Sequence, residues 1–273
     1  MASSTGAYDE FVFTNGDELW DRVHQAHRRF AALLSVTPGK TPIKDSTWDA
    51  AQVAGHLLTQ VRRFSTRDLS STDGLSPDGA GITRLNEVEL EALGQYSVAE
   101  VLDRTWQELA DLERKLPRSA DLHQKFAYHG GQQVDGVGLL GLLISEFLLH
   151  GYDVARARDK VWKIGSRNAA IAIAAAVQIA PAFVAPDAGD LKLELRTPES
   201  NTWVIDVADG AATSRRAQGR EAPDVRVFAR TEPLLLNLYG RFGMARATLH
   251  GTTLIGGRRP WRLTRLPKTF FVP

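Results

Sequence analysis

Apolar residues recur at helical spacing through the first two-thirds of the chain. Leu19, Val23, Ala26, Phe30, Leu33 and Leu34 predict a helix from about 16 to 36. Pro38, Gly39 and Pro42 break it. A second helix starts near Asp49, which with Gln52 makes the capping-box pattern; its apolar stripe is Val53, Leu57, Val61 and Phe64. Residues 70–81, rich in Ser, Gly, Asp and Pro, read as a loop. Helical pattern resumes around Asn86 and again over 98–116, ending before Pro117. In the segment 134–158, Leu139, Leu140, Leu142, Leu143, Ile144, Phe147, Leu148 and Leu149 surround the helix axis. A helix apolar on all sides belongs at the centre of a domain. Four main helices with short links predict an up-and-down four-helix bundle to about residue 160.

The period then changes. Leu191-Lys192-Leu193-Glu194-Leu195-Arg196 alternates as a half-buried strand does. Residues 203–207 and 225–229 are further strands, with Asn201 or Asp209-Gly210 as hairpin turns. Thr231-Glu232-Pro233 opens a short apolar helix that Gly240 ends. The expected fold class is α+β. Residues 1–163 form the helical bundle; residues 164–273 form an alanine-rich connecting helix (167–183) and a small α+β domain.

Composition narrows the chemistry. The chain has 273 residues, a net charge of +1 and no cysteine. A balanced charge offers no footprint for a phosphate backbone, so no nucleic-acid partner is expected. Without cysteine there is no disulfide framework, zinc ribbon or cysteine nucleophile, and any thiol chemistry uses an outside sulfur. The polar N-terminus, Met1 to Asp9, lacks a targeting pattern. The longest apolar stretch, 169–183, falls short of the ~20 residues of a membrane helix. The expectation is a soluble cytoplasmic protein without a membrane partner.

The candidate chemistry sits on the central helix. Glu146 and His150 are four residues apart, so their side chains share one face and converge. A carboxylate among leucines requires a partner or a metal ion. His56, near the interior stripe of the second helix, supplies a third donor. Two His and one carboxylate with an open position suit zinc or another divalent cation. A satisfied core histidine is the plainer alternative. His24 and His27, among Gln25, Arg28 and Arg29, read as solvent-facing; His123, His129 and His250 read as bland, with His129 near a pocket mouth. Gly256-Gly257-Arg258-Arg259 reads as a solvated turn, and no phosphate-binding glycine loop or nucleophile elbow is present.

Two motifs resemble the mycothiol-dependent maleylpyruvate isomerase family. Trp48-Asp49-Ala50-Ala51-Gln52-Val53-Ala54-Gly55-His56-Leu57 resembles the entry to its metal-binding helix, with Trp eight positions before the ligand His. Glu146-Phe147-Leu148-Leu149-His150-Gly151-Tyr152-Asp153 resembles its Glu-x-x-x-His-x-x-Asp motif, and Asn86 sits where that family tends to carry Asn. Leu234-Leu235-Leu236-Asn237-Leu238-Tyr239-Gly240-Arg241 looks like the apolar-helix-then-Gly-Arg segment of its C-terminal domain. The resemblance implies a DinB-like metal-binding bundle followed by a sterol-carrier-like domain. It implies zinc on His56, Glu146 and His150, with mycothiol as co-substrate. Asp153 would orient a ligand from behind, or serve as a helix-packing ion pair. Arg84, Asn86 and Arg241 are the candidates for binding substrate. The reaction expected is addition of the low-molecular-weight thiol to a small-molecule electrophile, an S-transferase. The alternatives are cis–trans isomerisation of maleylpyruvate, a non-catalytic small-molecule binder, and a metal-dependent hydrolase. Motifs fix neither the electrophile nor the metal, the thiol or the oligomeric state.

Overall fold

A computed structural model describes residues 14–94, 96–219 and 221–270. The polar N-terminal stretch read for targeting lies outside them. Helix α1 (Gly16–Leu34) begins where the Asn15 side chain accepts the Glu18 amide. Helix α2 (Ala50–Ser65) begins with both arms of the capping box formed between Asp49 and Gln52. Helix α3 (Ala80–Leu93) starts inside the stretch expected as loop. Ser97 and Glu100 cap α4 (Val98–Lys115) with a second box.

A short antiparallel hairpin, β1 (Lys125–Ala127) and β2 (Gln133–Asp135), leads into α5 (Gly136–Ala157), which Asp135 caps. The expected helix over 134–158 thus yields its first two residues to β2. Helices α1, α2, α4 and α5 form a ring in which each packs on two others, and α3 covers α2. Leu139, Leu140, Leu143, Ile144, Phe147 and Leu148 are buried around the whole circumference of α5. Among the described residues α5 alone is long and apolar enough to cross a membrane; here its apolar surface is covered by neighbouring helices.

The expected connecting helix is α6 (Ser166–Ile179) plus one tighter turn over Ala180–Phe183, because Pro181 stops the α-helical ladder. It packs on both α5 and α7 (Thr231–Leu238), so it is a shared core element. A five-stranded sheet follows. Its strands are β3 (Leu191–Arg196), β4 (Trp203–Ala208), β5 (Ala211–Arg216), β6 (Val225–Ala229) and β7 (Thr252–Gly256), in the order β5-β4-β3-β6-β7. Among the described residues only β3 and β6 pair in parallel. Asp209 and Gly210, both at positive φ, turn β4 into β5. Short helices α8 (Met244–His250) and α9 (Leu266–Thr269) complete the chain. Glu194 on β3 departs from the alternation: it is fully buried, accepting from Arg196 and Arg226 at 2.6 Å each.

Candidate metal centre

Helix α2 carries His56 in its second turn, and α5 carries Glu146 and His150 at mid-length. The three side chains meet. His56 Nε2 and His150 Nε2 each lie 3.4 Å from Glu146 Oε2. The three donor atoms all fall within 4.8 Å of one another. A charge-assisted hydrogen bond would be shorter, at about 2.7–2.9 Å. Ligands at about 2.0–2.2 Å from a tetrahedral zinc are roughly 3.3–3.5 Å apart, which matches the two separations. His56 is 4% exposed and its Nδ1 has no hydrogen-bond partner, so direct protein bonds do not account for the ring. Two imidazoles and a carboxylate so placed could hold a divalent cation.

The surroundings orient the set. Trp48, just ahead of the α2 cap, places its ring 4.9 Å from His56 and 6.3 Å from His150. Asp153 Oδ2 lies 3.4 Å from His150 Nδ1, a charge contact at the ring nitrogen away from Glu146. Arg241 reaches from the turn after α7 to grip Asp153, with Nη2 at 2.7 Å and Nε at 3.3 Å. Burial opposes ionisation of Glu146, but the His150 and His56 contacts outweigh it and hold the carboxyl well below its usual range. Burial pushes His56 down. Burial also works against protonated His150, yet Asp153 and Glu146 raise it. Asp153 is held at about 2, since His150 and Arg241 overcome its burial.

A cavity of about 480 Å³ opens beside these groups. Trp48, His56, Asn86, Glu146, His150, Asp153 and Arg241 all line it. Of the expected substrate-binding residues, Asn86 and Arg241 reach the cavity. Arg241 has three donors already engaged, two on Asp153 and Nη1 on the Tyr239 carbonyl at 2.8 Å. Arg84 does not reach the cavity: its side chain is 70% exposed and pairs with Glu87. It sits two residues before Asn86, which on a helix turns it to a different face.

Three histidines differ from expectation. His24 and His27 are buried, at 8% and 4% exposure, against Trp106, and His24 Nε2 meets Glu113 at 2.7 Å. Trp20, His24 and His27 share one helical face, so α1 turns them inward while Gln25 and Arg28 face water. His129 is 1% exposed, behind the cavity wall beside Arg63.

The cavity also has polar members that the motifs did not mark: Gln60, Arg63, Tyr128 and Tyr239. Gln60 and Arg63 stand four and seven residues after His56, the spacing of one α2 face, and that was their available signal. Burial drives Tyr239 up to about 12, with the Glu146 charge adding to it, so its hydroxyl stays protonated at neutral pH.

No family model matches the chain, and no curated protein does. Solved structures that share its fold include a crystal structure of the mycothiol-dependent maleylpyruvate isomerase and one of a variant of that enzyme with a histidine replaced by alanine. Each superposes with a TM-score of 0.54 at 15% identity, over 88% of this chain and 92% of the other.

Proposed function

We propose that this chain, which has the fold of the mycothiol-dependent maleylpyruvate isomerase, is a mycothiol-dependent, zinc-dependent enzyme that adds the thiol to a small electrophile. One observation carries the reading: two imidazoles, one of them buried, lie 3.4 Å from one carboxylate oxygen on the wall of an open cavity, in a chain with no sulfur nucleophile of its own. His56, Glu146 and His150 would hold zinc or a related cation. Bound there, the cation supplies the lowering of a thiol's pKa that yields a thiolate at neutral pH.

The protein's own groups do the rest. Asp153 fixes the His150 ring. Trp48 and the apolar wall of Ile43, Leu142 and Phe183 exclude water around the sulfur. Arg241 keeps two N–H groups free for an anionic group on the electrophile. Tyr239, protonated and beside Glu146, keeps further negative charge out of that wall. In S-transfer a sulfur–carbon bond forms and the thiol proton passes to the product or its leaving group. We assign the bundle to the DinB-like type, 164–273 to the sterol-carrier-like unit, and the enzyme to the cytoplasm.

A second reading, cis–trans isomerisation, is favoured by the fold match. There the thiolate adds to a cis double bond, the resulting single bond rotates, and the thiol is eliminated with no net change in composition. Elemental analysis tests the centre. Stoichiometric zinc in the wild type, and its loss in His56→Ala, Glu146→Ala and His150→Ala, supports the reading; a metal-free wild type from metal-replete cells overturns it. Mass analysis of products then separates the two reactions, since only S-transfer adds the mass of the thiol.

A further inference from the structure

The cavity wall beyond His56 is a polar network centred on Arg63. Its side chain is 3% exposed, yet each of its three nitrogens donates to an acceptor. Nε and Nη2 meet Glu89 Oε1 and Oε2 at 3.2 and 2.5 Å. Nη2 also meets Asn86 Oδ1 at 2.8 Å, and Nη1 meets Gln60 Oε1 at 3.1 Å and faces His129 Nε2 at 3.2 Å. Gln60 Nε2 donates to the same Asn86 oxygen at 3.0 Å.

This network decides which way two amides point. A guanidinium only donates, so the atoms it meets on Gln60 and Asn86 are their carbonyl oxygens. Gln60 is then committed to present its NH2 to Asn86. Asn86, with its oxygen taken twice, has its NH2 left over at the cavity wall. Turning that amide over would set its NH2 against two donors and leave buried groups unpaired.

Resting on the thiol-dependent reading above, we propose that Arg63 is a positioning residue for the co-substrate: it locks Asn86 as a hydrogen-bond donor to a neutral acceptor, an amide carbonyl or hydroxyl oxygen of the thiol. The acceptor is neutral because Glu89 balances the Arg63 charge and Glu87 lines the same wall. A carboxylate gains nothing there. Mycothiol, whose sulfur arm is joined through an amide to a sugar, offers such oxygens.

The test is calorimetric titration of mycothiol into the zinc-loaded full chain, with zinc content measured for every variant. Asn86→Asp keeps the oxygen that faces Arg63 and replaces the donor by an acceptor. It should weaken binding about tenfold or more, the loss of one well-placed hydrogen bond to a buried group, with zinc retained. Arg63→Lys keeps the charge opposite Glu89 but cannot bridge both amides, and should weaken binding about tenfold in the wild-type background. In the Asn86→Ala background the same lysine should change affinity less than about twofold, because nothing remains to orient. Unchanged affinity in Asn86→Asp, or an equal lysine effect in both backgrounds, overturns the proposal while the thiol-dependent reading stands. A zinc-replete wild type that does not bind mycothiol overturns the parent reading, and this one with it.

Discussion

His27 shows how burial writes pH dependence into a single side chain. Packed among Trp106 and Phe147, its ring is driven from the ordinary histidine value of 6.5 to about 4, first by burial and then by the neighbouring His24 and Arg28 charges. Between those two values the unfolded chain binds more protons than the folded one. Stability contributed by neutral His27 is thus fully present above pH 6.5 and falls as the pH drops toward 4. The shift corresponds to a loss on the order of 3 kcal/mol across that window. In urea unfolding at pH 7 and pH 4, His27→Phe should lose correspondingly less stability than the wild type; equal losses would refute the assignment. Gly151 is a second residue-scale case. A Cβ there would lie 2.3 Å from the Trp162 ring, which also stacks under Arg29. Gly151→Ala forces the indole away beside His150 and should cost about 1–3 kcal/mol in the same assay.

At the scale of elements, helix α2 carries the site because its start is fixed. Asp49 accepts the Gln52 amide at 2.9 Å and Gln52 returns the bond at 2.9 Å. Asp49→Ala removes one arm and should lower stability by about 1 kcal/mol, or roughly 2–4 °C in melting temperature. A drop within error would mean that tertiary packing alone sets the helix start. This capping box was legible in four letters of sequence, as was the all-round apolar face of α5. The short hairpin before α5 was not. Its strands have three residues each, too few for alternation to register. Strand β5, Ala-Ala-Thr-Ser-Arg-Arg, lacks an apolar face because it lies at the sheet edge with its exposed side to water. His24 and His27 misled for the opposite reason. Polar and charged neighbours at 25, 28 and 29 suggested a wet surface, while the helical face is set by Trp20, Val23 and Phe30, buried four or fewer residues away. In the site, Glu146 and His150 announced themselves by i,i+4 spacing on an apolar helix. Arg63 did not, since a cation on a stripe reads as solvated until its partners on α3 are known.

At the scale of the whole molecule, what sequence spacing leaves open is which distant segments meet. The parallel pairing of β3 with β6 joins Leu193 to Val225 across an intervening hairpin, and no local pattern encodes it. The same holds for the bond from Arg241 to Asp153, 88 residues apart, which joins the turn after α7 to the helix carrying Glu146 and His150. Both side chains are largely withdrawn from water, at 19% and 14% exposure, so losing either one leaves a poorly solvated charge. Arg241→Ala and Asp153→Ala should each cost about 2–3 kcal/mol in urea unfolding, less than a fully buried pair because some water remains. The double variant should cost less than the sum by about 1–2 kcal/mol, since the second deletion removes a charge already unpaired. The cycle is to be run on metal-stripped protein, because Asp153 also steadies His150 and a bound cation would add its own linkage to the folded state. Additive losses would mean that the two parts of the chain meet at Asp153 without depending on this contact. Sub-additive losses would make the contact the tie through which the C-terminal residues complete the cavity around His56, Glu146 and His150.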